Sequence, residues 1–130
     1  MTEEVRRALG LMFTQPAMVE LRAITDQHIH SGYFNDPELL VKAAETLDAV
    51  PDVQGIYVTL NEVDPALLSR RANRVKMRLG RKDATTSDTD IIRRHWLPID
   101  LDPVRPSGVS STNSEHDTAL ERARKISTWL

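Results

Sequence analysis

Apolar and polar positions change rhythm several times along this chain. Val5, Ala8, Leu9 and Met12 recur at helical spacing behind Thr2, with acids in the first turn, so residues 2–12 read as an amphipathic helix. From Met18 to Ile24, Val19, Leu21 and Ala23 alternate with Glu20 and Arg22, the period of a half-buried strand. His28 to Asn35 reads as a turn-rich connection. Asp36-Pro37 supplies a cap and a first residue for a helix whose apolar face is Leu39, Leu40, Ala43, Ala44 and Leu47. Gly55 to Leu60, after a turn at Pro51, is β-rich and is expected as an inner strand.

The Asp-Pro opening recurs at Asp64-Pro65, and Leu68, Ala72, Val75 and Leu79 share one helical face, which predicts a third helix. Residues 80–88 lack an apolar anchor and are expected as a mobile loop, with Ser87-Asp88 capping a short turn through Ile91 and Ile92. His95 to Leu101 predicts the next strand. Pro103 to Asn113 is a Pro-, Ser- and Gly-containing loop, and Ser114 with Asp117 three residues on resembles a capping box. Ala119, Ala123, Ile126 and Leu130 mark a final helix, with Glu121 placed to pair with Lys125. The expectation is an α/β fold in one domain over 1–130, a small mixed sheet covered by helices.

Composition narrows the function classes. The chain has 130 residues, 40% hydrophobic and 28% charged, which is enough for one core and ordinary for a folded protein. Without cysteine there can be no disulfide, thiolate metal site or cysteine nucleophile. No signal peptide or membrane span is legible, so the cytoplasm is the expected location. The net charge of -2 argues against coating nucleic acid by bulk charge, yet between Arg70 and Lys82 there are Arg71, Arg74, Lys76, Arg78 and Arg81 with no acid among them.

The sharpest chemical feature is the pair Asp100 and Asp102 at the end of an apolar run. Residues two apart on a strand share a face at roughly 6 to 7 Å, so both carboxylates could converge on a hard cation, Mg²⁺ or Mn²⁺. Two such ions are a common device for nucleotidyl transfer. Capping of the following turn is the bland alternative, and the pair alone does not choose between them.

The surrounding stretch IDLDPVRPSGVSSTNSEH resembles the first catalytic motif and downstream loop of phage- and plasmid-type primase-polymerases, members of the archaeo-eukaryotic primase superfamily. Upstream, SGYFNDPELL, GIYVTLNEVDPALLSRRANR and TTSDTDIIRRHWL resemble, in order, the blocks that precede that motif. The resemblance implies the first half of an RRM-like catalytic fold and divalent-metal-dependent nucleotidyl transfer on a DNA or RNA template-primer. It assigns Asp100 and Asp102 to metal binding and catalysis. Asn61, Arg71 and Asn73 fall in the upstream blocks, and Arg105 in the motif stretch, without an assigned role.

The family's Ser-x-His strand and third acid do not follow, Glu62 stands where relatives carry proline, and Pro98 interrupts the strand. The chain therefore reads as a front portion, inactive or nearly so alone, that a completing chain, a helicase partner or a second copy would cover. A non-catalytic module binding nucleic acid or a replication partner is the competing expectation. A phosphatase with Asp100 as nucleophile is disfavoured by Pro103-Val104-Arg105-Pro106 after the pair.

Other features carry less. On the predicted third helix, Arg70, Arg74, Arg78 and Arg81 would form a ridge for phosphates, joined by Arg71, or simply a solvated face. His28 and His30 lack further ligands for a metal site, and nothing fixes His95 or His116 as a base. The serines and threonines of 110–114 lack the pattern of a phosphate loop. Trp96 and Trp129 are expected in core or interface.

Overall fold

The computed structural model describes residues 2–130 and divides into two compact units, one ending at Trp96 and the other spanning Leu97–Leu130. In the first unit, helix α1 (Thr2–Met12) is followed by strands β1 (Val19–Ile24) and β2 (Ile29–Phe34), helix α2 (Pro37–Asp48) and strand β3 (Gly55–Val58). The short strands β4 (Glu62–Val63) and β5 (Ile91–Arg93) form a separate antiparallel pair. Between them run 3₁₀ turns at Pro65–Arg70 and Asp88–Asp90. The second unit contains one helix, α3 (Asn113–Trp129).

The larger sheet has the order β2-β1-β3, antiparallel throughout. Two expectations are corrected here. The sheets are antiparallel and not mixed, the only parallel pairing among the described residues being an isolated bridge between Tyr33 and Ala72. Residues 29–34, read as a turn, are a full strand, and β3 lies at the edge of the sheet, leaving β1 in the middle.

The strand at β2 was hidden by Ser31 and Gly32, which look like turn residues but serve packing. A Cβ on Gly32 would lie 2.2 Å from the Arg74 carbonyl oxygen, so only glycine lets the neighbouring chain approach. That neighbour is the segment after Arg70. Its amides and carbonyls bond to the outer edge of β2: Tyr33 N–H donates to Arg71 O, Asn73 N–H to Tyr33 O, Lys76 N–H to Ser31 O and Leu79 N–H to Ile29 O.

The predicted third helix therefore stops at Arg70. Asp64 still caps it, accepting from the Ala66 amide at 2.9 Å, and Leu67 is buried. Beyond that point Asn73 and Arg78 adopt positive φ values of 49° and 53°, which no helix tolerates. Pairing with an otherwise open sheet edge outweighs the helical periodicity of Leu68, Ala72, Val75 and Leu79.

Both faces of the sheet are covered at β1 and β2. Val19, Leu21 and Ala23 of β1 pack with Phe34 and with Leu40 and Leu47 of α2, and Leu9 and Phe13 close that side from α1 and its end. Asp36 caps α2 as expected, accepting from the amides of Glu38 and Leu39. Val41 is buried in place of Leu39, which is exposed. On the opposite side, Tyr33 packs with Met18, Val63 and Leu67. The alternation in β1 thus marks two interiors, one apolar and one polar.

In the second unit, α3 begins earlier than expected. Thr112, not Ser114, is the cap, accepting from the Glu115 amide while Glu115 accepts from the Thr112 amide at 2.8 Å. Glu121 and Lys125 form the expected i,i+4 pair at 3.2 Å. No strand forms over 95–101, and no residue of Leu97–Leu130 is buried. Pro98 removes a ladder donor and no partner strand is paired there.

Gly32→Ala should lower unfolding stability by about 1–3 kcal/mol through the clash with Arg74, measured by urea titration. Gly10→Ala, which adds a Cβ in open space on an exposed helical position, should be neutral or stabilising.

Candidate functional site

The structure places the sequence-predicted residues in three different settings. Asp100 and Asp102 are exposed on an irregular segment of the second unit, not at the end of a strand. Asp102 helps line a cleft of about 170 Å³ with Pro103, Glu115, Thr118 and Arg122. Among the described residues no group of three or more His, Asp or Glu side chains is arranged to hold a metal. Two exposed carboxylates two residues apart fit a Mg²⁺ or Mn²⁺ that keeps several of its waters, and do not form a closed cage. Arg105 is exposed on the loop that follows.

The arginines do not form one ridge, because the helix that would align them is absent. Arg74, Arg78 and Arg81 are exposed on the irregular segment that follows Arg70. Arg70 is exposed but donates to Thr85 O at 3.3 Å and to the Tyr33 hydroxyl at 3.4 Å. Arg71 is only 3% exposed and is spoken for inside the protein.

Asn73 and Asn61 act on the backbone. Asn73 Oδ1 accepts from the Asn35 and Asp36 amides, fixing the entry to α2. Asn61 Oδ1 accepts from the His95 and Trp96 amides at 2.8 and 2.9 Å, and its Nδ2 donates to Trp96 O. Trp96 Nε1 in turn donates to Met12 O. His30 is buried with Nδ1 accepting from the Arg78 amide, a structural use and not a ligand position.

What sequence reasoning missed is the polar interior around Glu20, which is fully buried. Its Oε1 accepts from Ser31 Oγ at 2.6 Å, and its Oε2 accepts from Arg22 Nη2 at 2.8 Å and the Thr86 amide at 2.9 Å. Arg71 Nη2 stands 3.8 Å from Oε1 and donates to Ser31 Oγ and to Ala84 O. Its guanidinium also lies over the Tyr33 ring, 5.0 Å from the centroid. The only signal in sequence was a charge at every second position of a central strand, which reads equally well as a solvated face.

Burial pushes the Glu20 carboxyl up, but the bonds from Arg22, Ser31 and Thr86 together outweigh it and hold the carboxyl below its ordinary value. Asp83, bonded by Lys76, and Asp90, bonded by the Ser87 amide, are shifted the same way.

Comparison with protein-family models, curated proteins and solved structures finds no match to this chain. Among the described residues no helix is long and apolar enough to cross a membrane.

A carboxylate held low in the folded state adds stability above its unfolded value, about 4.3 for glutamate, and loses it as pH falls through the folded value. Unfolding stability should therefore decline from about pH 5 downward. Glu20→Gln should flatten that decline and cost about 3–5 kcal/mol at neutral pH, because Arg71 is left buried without its counter-charge. Denaturant titrations across pH check both effects.

Proposed function

We propose that this chain contributes to template-dependent nucleotidyl transfer, as a portion of a primase-polymerase of the archaeo-eukaryotic type, with Asp100 and Asp102 as metal-binding carboxylates. The observation that carries this reading is the exposed Asp100-Leu101-Asp102 pair set in IDLDPVRPSGVSSTNSEH. It is supported by the order of the upstream blocks and by a mixed α/β body with exposed arginines. Substrates on this reading are nucleotides and a DNA or RNA template-primer.

When bound, Mg²⁺ or Mn²⁺ would supply charge neutralisation at phosphate oxygens. The second unit's own contribution would be two hard oxygen donors on an accessible segment and a cation at Arg105 for phosphates, and the first unit separately exposes Arg74 and Arg78. With two carboxylates and no group of three acids arranged to hold a metal among the described residues, waters and ligand phosphates would fill the ion's remaining positions.

A second reading is a non-catalytic module that binds nucleic acid or a replication partner such as a helicase. It is favoured by the exposure of Leu97, Val104, Trp129 and Leu130, each at least 80% accessible, which a partner or a second copy would cover.

Calorimetric titration with Mn²⁺ or Mg²⁺ separates the two. Weak binding that is abolished in the Asp100→Ala, Asp102→Ala variant, whose exposed positions leave the fold intact, is the expected result. Unchanged binding in that variant, or none in the wild type, would remove the metal role and leave the binding module.

A further inference from the structure

Strand β3 turns Ile56 and Val58 toward the helical side of the sheet and Tyr57 toward the other, where it stands beside Arg22, its cross-strand partner on β1. Tyr57 is 59% exposed. Its ring nevertheless has a defined seat. It lies back along the strand over Gly55, so closely that a Cβ there would meet the Tyr57 hydroxyl at 2.7 Å and Cε2 at 2.8 Å. Glycine at 55 therefore admits a ring laid along the sheet, a placement that brings the ring no burial in the core.

Next to that ring is a pocket of about 250 Å³ walled by Arg22, Thr59, Thr86, Ser87 and Asp88. Its lining combines hydroxyls, the carboxylates of Glu20 and Asp88, and the Arg22 guanidinium, whose Nη2 donates to Glu20 and to Thr86 O. Arg70 reaches the carbonyl of Thr85, the residue before the Thr86 wall, so a cation stands near the rim. A flat aromatic seat, hydrogen-bonding groups for the edge of a planar ring, and a nearby cation for a phosphate are the three components of single-strand recognition.

We propose that Tyr57 is a stacking platform for one base of single-stranded nucleic acid, with the adjacent pocket receiving the base edge and Arg70 the backbone. Charge explains why the occupant is a strand and not a free nucleotide. Within the pocket walls the Arg22 charge is matched by Glu20, so the Asp88 carboxylate disfavours a triphosphate inside, whereas a strand leaves its phosphates outside at the rim. The inference rests on the nucleic-acid part of the proposed function and is independent of Asp100 and Asp102.

The test is fluorescence anisotropy in the presence of a chelator, using a labelled oligonucleotide of about ten nucleotides and an abasic strand of equal length. The base-bearing strand should bind more tightly than the abasic one. Tyr57→Ala should weaken its binding about 5- to 150-fold, the loss of one base stack, while Tyr57→Phe retains it. Because Tyr57 is exposed, circular dichroism should show both variants folded.

Equal affinity of wild type and Tyr57→Ala, equal binding of the abasic strand, equally tight binding of a mononucleotide, or no strand binding by the wild type would each overturn the proposal. The Asp100→Ala, Asp102→Ala variant should bind the strand like wild type. Loss of the metal role would thus leave this inference standing, and loss of strand binding would leave the metal titration unaffected.

Discussion

The first unit is organised around one buried carboxylate. Removing Glu20 from water is costly unless its oxygens are matched, and in isolation the cost would exceed what a small core can offset. Here the match comes from four separate stretches: Arg22 on the same strand, Ser31 on β2, Arg71 after the 3₁₀ turn, and the Thr86 amide from the distant loop. None of these groups alone would hold the charge. Together they tie the sheet's second face to a segment that has little apolar surface of its own.

That requirement also explains the shape of the chain after Arg70. To bring Arg71 inward over Tyr33 and beside Ser31, the backbone must run against β2 and not coil away from it. Gly32 makes the approach possible, and the left-handed turns at Asn73 and Arg78 steer the path. The arginines that remain on the surface are those the interior did not need. A cluster that looks uniform in sequence is thereby divided into one buried cation, Arg71, two held by bonds near the surface, Arg70 and Lys76, and the exposed Arg74, Arg78 and Arg81.

Legibility in the sequence followed the range of the forces involved. Local devices were readable: Asp36-Pro37 starts α2, Asp64-Pro65 starts a turn of 3₁₀ helix, and α1 spans the residues its acids and apolar spacing mark. The strand β1 was also readable, but its polar face was not, because alternation cannot say whether water or another segment covers it. Leu68 to Leu79 failed since a non-local edge pairing competed with a local period. The Asp pair was expected at the end of a strand, and that strand is not realised. Tyr57 went unmarked because only the packing over Gly55 distinguishes it from an ordinary strand tyrosine.

The bond from the Thr86 amide to Glu20 has a kinetic corollary. Residues 80–87 carry no regular secondary structure and so would ordinarily exchange their amide hydrogens through small local openings. Thr86 cannot open in that way without uncovering the buried carboxylate, which would leave Arg71 and Glu20 poorly matched together. Its amide hydrogen should therefore exchange with the cooperative unfolding of the sheet, giving a loop position the protection of a central strand.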